Sequence, residues 1–307
     1  MAARRTRHLL FTWPAAIEWP TVGLFVLCAA CWIVGVFLLG QSSLAIAFGL
    51  TIFSLVLHSS LTHEALHGHP FPSRLASEAL VLINPALFIP YLRFRDQHLA
   101  HHQDARLTDP YDDPESNYLD PAIWHGLARP LQVLLQFNNT LLGRILLGPA
   151  IGLWVFMKND IRAMRGGDWQ VRKGWLLHLP GFALTLWAIS LSTMPIGLYV
   201  VACYAALSIL KIRTFLEHQA HECARGRTVI IEDRGLLAFL FLNNNLHVVH
   251  HVHPRVPWYR LRALYALNRD HYLQRNEGYL YRSYGEVLRR HLLKSKDPVA
   301  HPLWQSP

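Results

Sequence analysis

Histidines recur along this chain at spacings that suit metal binding. The segment NNNLHVVHHVHPRVPWYRL, residues 243–261, carries His247, His250 and His251. On a helix, positions i, i+3 and i+4 share one face, so these three imidazoles would point the same way. The same H-x2-H-H spacing occurs in DQHLAHHQD, and two further pairs have helical i, i+4 or i, i+3 spacing. These additional residues are His98, His101 and His102, then His63 and His67, then His218 and His221.

Nine of these histidines fit one site, which is too many for a single ion. A structural zinc takes four ligands, and a catalytic zinc takes three plus water. Two ions with four or five ligands each would use the whole set. Imidazole binds iron, copper, zinc and nickel alike, so the ligand type alone does not select the metal. The candidate ligands are His63, His67, His98, His101, His102, His218, His247, His250 and His251.

The composition around the clusters indicates a lipid environment. Hydrophobic residues make up 52% of the 307 residues and charged residues 16%, which is more apolar than an average soluble domain. The unreactive feature of a lipid chain is its C–H bonds, and breaking them needs an oxidant made from O2, for which iron is the usual metal. The net charge of +9 suits an anionic membrane face, and no nucleic-acid motif accompanies it, so we expect no nucleic-acid partner.

Four apolar segments must position the clusters. Residues 21–40 and 43–62 carry no charge, and about twenty residues in a helix cross a bilayer core of roughly 30 Å. A second pair, 175–193 and 195–215, forms another hairpin around Met194. Histidines follow the ends of 43–62 and of 195–215. We therefore predict an all-α membrane protein with four transmembrane helices in two hairpins and a histidine-rich helical cap.

The positive charges predict the orientation of the chain. Lys and Arg occur only within residues 4–7, 74–173 and 211–296. The positive-inside rule then places both termini, the connection 64–174 and the tail 216–307 in the cytoplasm, together with every histidine cluster. We expect one integral-membrane domain over residues 1–307, in a bacterial inner membrane. Interfacial helices are expected over the apolar but interrupted stretches 75–92, 131–157 and 235–251.

The boxes HEALH, HLAHH and HVVHHVHPRVPWYRL resemble the three histidine boxes of the membrane fatty acid desaturase superfamily. The resemblance runs in the family's order over nearly the whole chain, from the second span to Leu261. It implies a non-haem centre of two irons, O2 as oxidant and electrons from an external donor. It also implies the same nine ligands, with His218 at the end of the fourth span and His221 as the rival for that position.

Fatty acid desaturation is the reaction that the resemblance favours. The superfamily also includes carotenoid ketolases and hydroxylases, fatty acid hydroxylases and alkene-forming oxidative decarboxylases, and these stay open as alternatives. No haem module is visible in the sequence, so we expect a separate ferredoxin-like or cytochrome b5-like donor. His63-Glu64-x-x-His67 also matches the H-E-x-x-H pattern of an intramembrane zinc protease, but that reading leaves seven histidines unexplained. A histidine-rich metal transporter would need ligands at mid-membrane depth.

Other polar side chains receive structural expectations. Cysteines in apolar segments are most often small hydrophobes, and the four here form no disulfide framework. Acidic side chains near the boxes are candidates to accept imidazole N–H groups, but only Asp109, before Pro110, resembles a family feature, and we expect the others to be solvated loop charges. Asn243–Asn245 are expected either to bond near the metals or to cap a helix. The remaining acids are Asp96, Asp104, Asp112, Asp113, Glu115 and Glu217, and the histidines placed outside the site are His58, His69, His178 and His253.

Overall fold

The structure is a computed structural model that describes residues 17–102 and 106–304. The described chain is predominantly helical, which confirms the predicted all-α class, and its only sheet pairs two short parallel strands. It divides into two compact units, residues 1–95 with 150–209 and residues 96–149 with 210–307. The basic start around Arg4, Arg5 and Arg7, like Asp104, lies outside the described residues.

The helices and strands follow one another along the chain with short connections. They are α1 Trp19–Ile33, which continues as a π turn Val34–Leu38, α2 Leu44–Leu66, α3 Arg74–Ala79, α4 Tyr91–His101, α5 Pro121–Gly126, α6 Arg129–Asn138, α7 Leu141–Leu146, α8 Gly148–Arg165, α9 Trp169–Ser190, α10 Ile196–Thr214, β1 Ile230–Ile231, α11 Leu236–Leu240, α12 His247–Val252, α13 Trp258–Leu267, α14 Arg269–Arg275, β2 Leu280–Tyr281 and α15 Tyr284–His291. A 3-10 turn covers Ala224–Arg227.

Three of the described helices are long and apolar enough to cross a membrane. They are Trp19–Leu38, Leu44–Leu66 and Ile196–Thr214, with 20, 23 and 19 residues. They correspond to the predicted spans 21–40, 43–62 and 195–215. The remaining predicted span, 175–193, lies largely in α9, a helix of 22 residues. His178 and Pro180 interrupt its apolar sequence, so α9 does not join the other three on composition.

In the first unit, α1 and α2 pack closely through small and polar side chains. The Ser54 hydroxyl donates to the Cys28 carbonyl at 3.1 Å, and the Cys28 thiol lies 3.2 Å from the Ser54 carbonyl. Gly35 permits the approach, because a Cβ there would lie 2.8 Å from the Thr51 hydroxyl oxygen. Hydrogen bonds of this kind satisfy polar groups that a lipid-facing helix could not expose without cost.

Buried polar contacts also fix the remaining helices of the first unit. Arg93 donates to both carboxylate oxygens of Asp160 at 2.8 and 2.9 Å, and the Trp175 indole donates to the same carboxylate at 2.8 Å. The His178 Nε2 atom lies 2.7 Å from the carbonyl oxygen of Leu87. This contact confirms the structural role expected for His178.

Two of the interfacial helices expected from the sequence do not form as single elements. In 75–92, only Arg74–Ala79 and the start of α4 are helical. The Asn84 side chain turns the chain between them by donating to the Ile89 carbonyl at 2.8 Å. In 235–251, α11 ends at Leu240, and Leu242 and Asn243 take left-handed backbone angles, with φ of 49° and 59°. A new helix therefore starts at His247.

The second unit is closed by its C-terminal segment. The backbone of Leu119 exchanges hydrogen bonds with Val299 and His301 at 2.9 and 2.8 Å. Tyr118 bonds to Asp297 through its hydroxyl, and that hydroxyl also accepts the backbone N–H of Ala220 at 2.8 Å. The loop that follows α4 is thereby tied to both the tail and the segment after α10.

Candidate metal centre

The third histidine box lies on a short helix with well-defined ends. After the left-handed residues Leu242 and Asn243, helix α12 begins at His247, and it ends at His253, directly before Pro254. A proline after the last turn cannot continue the helix. Over this single stretch, His247 and His250 are almost fully buried. The box is therefore presented inward rather than to solvent.

Four histidines of the second unit converge into one cluster, which we call the four-histidine cluster. It comprises His101, His218, His247 and His251, and each offers a ring nitrogen within 4.8 Å of the others. The Nε2 atoms of His101 and His218 are 2.8 Å apart, and those of His247 and His218 are 3.1 Å apart. The rings of His247 and His251 lie 4.7 Å apart between centroids.

Three other histidines of the same unit form a second group, the three-histidine cluster. The Nε2 atoms of His102 and His98 are 2.9 Å apart, and those of His250 and His102 are 3.2 Å apart. Each H-x2-H-H box is thus divided between two clusters. Its i, i+4 pair enters one cluster and its middle histidine enters the other.

The other two candidates, His63 and His67, belong to the first unit. They lie at the C-terminal end of α2, where His67 caps the helix, and their rings are 4.9 Å apart. Both are buried, at 3% and 8% exposure. The i, i+4 spacing therefore places this pair side by side, as the sequence indicated.

His218 and His221 differ in their surroundings. His218 lies in the four-histidine cluster. His221 lies instead beside Cys223 and Glu277, with its Nε2 atom 3.4 Å from a Glu277 carboxylate oxygen. Of the two rivals for the position after α10, only His218 faces the other box histidines.

Acidic and amide side chains hold the second nitrogen of several cluster histidines. The Nδ1 atom of His101 lies 2.8 Å from an Asp113 carboxylate oxygen, and that of His98 lies 2.9 Å from Glu115. The Nδ1 atom of His247 lies 3.0 Å from the Asn244 side-chain oxygen. Such partners fix the tautomer and orientation of metal-binding imidazoles.

These contacts correct one expectation from the sequence. Asp113 and Glu115 are not solvated loop charges, and Asp113 is only 5% exposed. Asp109 instead caps its own turn, with Oδ1 accepting the backbone N–H groups of Tyr111 and Asp112 at 2.8 and 2.9 Å. The acidic run after the second box was the available signal. Its spacing could not reveal which carboxylate the loop folds inward.

The donor set fits a transition metal. An ionised carboxylate only accepts hydrogen bonds, so Nδ1 of His101 carries a proton and, in the neutral ring, Nε2 presents a lone pair. Two such lone pairs facing each other at 2.8 Å repel unless a positive charge lies between them. Nitrogen ligands at right angles around an ion about 2.1 Å away are roughly 3.0 Å apart, which matches these Nε2 separations.

The electrostatics of the cluster favour a positive charge at the same point. Burial would lower the pKa of His101, but the carboxylates of Glu115 and Asp113 outweigh it and raise that pKa to about 9. Burial and the neighbouring imidazoles hold the pKa of His218 and of His247 well below the usual value. A metal ion binding there would displace the proton that His101 otherwise holds.

The family model for fatty acid desaturases matches residues 17–284. The chain belongs to the fatty acid desaturase family. A beta-carotene ketolase from Paracoccus sp. (strain N81106 / MBIC 01143) is 29% identical over 234 residues, which cover 71% of this chain and 78% of the ketolase. As a member of the desaturase family, the chain is an oxidoreductase, and its relatives indicate lipid oxidation by a membrane di-iron centre.

Proposed function

We propose that this desaturase-family enzyme holds two irons and uses O2 to oxidise an unactivated C–H position in a lipid chain. The observation that carries the proposal is the convergence of His101, His218 and His247 through their Nε2 atoms at 2.8 and 3.1 Å. The seven clustered histidines of the second unit would be ligands, and the family's box pattern adds His63 and His67. The full proposed set is His63, His67, His98, His101, His102, His218, His247, His250 and His251.

When bound, two irons would supply the activation of O2 that C–H oxidation requires. The protein's own contribution is orientation. Asp113, Glu115 and Asn244 accept from Nδ1 atoms, so that the opposite nitrogens face the centre. Lys296 donates to the backbone carbonyl of His218 and holds that segment in place. Rigid support of this kind keeps ligand geometry constant through a reaction.

Acyl-chain desaturation is the first candidate reaction. Reduction of O2 to two waters takes four electrons, of which removal of two neighbouring hydrogens from the chain supplies two. The other two must come from a donor, and we propose a separate ferredoxin-like or cytochrome b5-like protein. The basic character of the chain, with a net charge of +9, supports an acidic donor through electrostatic steering.

Ketolation of a carotenoid is the second candidate reaction. It is supported by the 29% identity to a beta-carotene ketolase over most of both chains. Desaturation and oxygen insertion begin with the same attack on a held methylene group. They diverge in whether a second hydrogen is removed or oxygen is returned to the carbon. The position of the substrate chain relative to the irons would decide between them.

We also propose the topology that the charges predict. The three long apolar helices would cross the membrane with α9 as a fourth span, in two hairpins. The absence of Lys and Arg near residues 41–42 and 192–195 supports cytoplasmic termini and a cytoplasmic active site. In this arrangement the whole chain acts as one integral-membrane domain, and the substrate enters from the bilayer of a bacterial inner membrane.

The test is product analysis in a bacterial host that makes carotenoids and carries a ferredoxin system. Wild type and His251→Ala are expressed at equal membrane levels, and lipids and pigments are analysed by gas and liquid chromatography with mass spectrometry. New unsaturated acyl chains in the wild type alone would support desaturation, and new keto-carotenoids alone would support ketolation. An iron-loaded wild type that changes neither pool while its donor is reduced would contradict the proposal.

A further inference from the structure

A second group of metal-binding side chains lies in the second unit, apart from the histidine clusters. His221, Cys223 and Glu277 each offer one ligand atom, and these atoms all lie within 4.8 Å of one another. We propose that His221 Nε2, Cys223 Sγ and Glu277 Oε2 bind a divalent transition-metal ion of the zinc class. The proposal concerns a different site from the iron centre and does not depend on the reaction catalysed there.

A tight turn fixes the His221 ring. The Cys223 carbonyl accepts the Gly226 backbone N–H at 2.9 Å, and Arg227 Nε donates to the His221 carbonyl at 2.9 Å. The ring packs directly on this turn, because a Cβ at position 226 would lie 2.5 Å from His221 Nδ1. Glycine is therefore required at 226 for the imidazole to occupy its place. A ligand held by its backbone in this way loses little conformational entropy on binding.

The second nitrogen of His221 already has a suitable partner. Nδ1 lies 3.2 Å from the Cys223 carbonyl oxygen, which can accept a proton from it. In that tautomer Nε2 presents its lone pair toward Glu277 Oε2, 3.4 Å away. A lone pair facing a carboxylate oxygen is unfavourable without a cation between them. Metal-binding histidines usually have such an acceptor at the other ring nitrogen.

Backbone contacts bring Glu277 to this turn from more than fifty residues further along the chain. The Asn276 side chain donates to the Thr228 carbonyl at 3.1 Å, and Ile230 N–H donates to the Tyr279 carbonyl at 3.0 Å, beside the pairing of β1 with β2. Arg225 lies 3.4 Å from Glu277 Oε1, so it engages the other carboxylate oxygen. The location of Glu277 next to His221 is thus set by the fold.

The chemistry of the three ligands selects the class of ion. Thiolate, imidazole and carboxylate together suit zinc, with a fourth position left for water. In a tetrahedral zinc site, ligand atoms lie roughly 3.3–3.7 Å apart, given bond lengths of about 2.0–2.3 Å. Cys223 and Glu277 are exposed, so their side chains can rotate to close the remaining distance. A bound ion would join the segment after His218 to the turn before β2.

The test uses the full chain, purified and loaded with iron, and then titrated with Co²⁺. Cobalt bound to a thiolate gives a sulfur-to-metal charge-transfer band, which the all-histidine iron clusters cannot produce. The band is expected in the wild type and in Cys31→Ser. It should be lost in Cys223→Ser and in His221→Ala. Cys31 is the matched control, because Cys28 and Cys203 are buried while Cys223 is the exposed thiol.

Protection of the thiol provides an independent readout with Zn²⁺. At Zn²⁺ ten times the Kd, maleimide labelling of Cys223 should slow about tenfold, since only roughly one thiol in eleven is then unbound. Chelation should restore the original rate. A band that persists in Cys223→Ser, a band unaffected by His221→Ala, or labelling at the same rate with and without Zn²⁺ would each overturn the proposal. None of these outcomes bears on lipid oxidation, so the two proposals fail separately.

Discussion

Asp113 offers the sharpest test of how the iron ligands are oriented. Its Oδ1 atom lies 2.8 Å from His101 Nδ1 and accepts the Glu115 backbone N–H at 2.9 Å, while Oδ2 accepts the Thr108 backbone N–H at 2.9 Å. All three partners are donors. In Asp113→Asn the side chain keeps its shape but one oxygen becomes an NH₂ group, so one of these donors must face another donor.

Either orientation of the amide carries a penalty. If its nitrogen faces Thr108, a buried N–H loses its acceptor, at a cost of about 1–3 kcal/mol. If its nitrogen faces His101, the imidazole must move its proton to Nε2 and can no longer bind metal through that atom. Loss of such a supporting partner typically reduces metal affinity about 10- to 100-fold, or roughly 1.4–2.7 kcal/mol. We expect a loss of iron affinity in that range, with turnover reduced in parallel.

The assay is iron retention against a graded series of chelator concentrations, followed by turnover of the iron-saturated protein. Asp112→Asn is the matched control, because Asp112 is an exposed neighbour on the same loop that does not contact a cluster histidine through its side chain. The control should retain wild-type affinity. Wild-type iron affinity and turnover in Asp113→Asn, in correctly folded protein, would refute the reasoning.

Three further changes probe the site and the first unit. His218→Ala should abolish iron-dependent turnover and reduce bound iron, whereas the exposed His125→Ala should not; equal iron content and turnover in both would count against His218. Asn244→Ala should weaken iron retention about tenfold by removing the acceptor of His247 Nδ1, and Asn244→Asp should restore it; no rescue would mean that Asn244 acts through packing alone. Asp160→Ala leaves Arg93 buried without its carboxylate and should destabilise the protein by about 3–5 kcal/mol in thermal unfolding. The exposed Arg74→Ala should cost less than about 1 kcal/mol, and similar melting of the two variants would argue against a structural role for the pair.

The sequence located the metal-binding residues but could not divide them. Helical spacing alone places His247, His250 and His251 on one face, which predicts a common destination. The structure sends His247 and His251 to one cluster and His250 to the other. That division depends on how α12 packs beside the end of α4. Such packing is a tertiary feature that periodicity within one helix does not encode.

The fold was predictable where composition alone decides it. Long uncharged runs identified three helices that could span a membrane, whereas α9, with His178 and Pro180 inside it, carries a weaker signal. The inward turn of Asp113 and the break at Leu242 and Asn243 depend on loop hydrogen bonds and left-handed backbone. Neither leaves a distinctive pattern in the residue types around it.

The most direct test of the central claim is the metal content of the purified wild-type chain. Elemental analysis by plasma mass spectrometry, with protein quantified by amino-acid analysis, gives metal per chain after reconstitution. The account predicts two irons per chain, with both lost progressively as cluster histidines are replaced. One zinc per chain bound through His63 and His67, or no iron retained by folded protein, would contradict it.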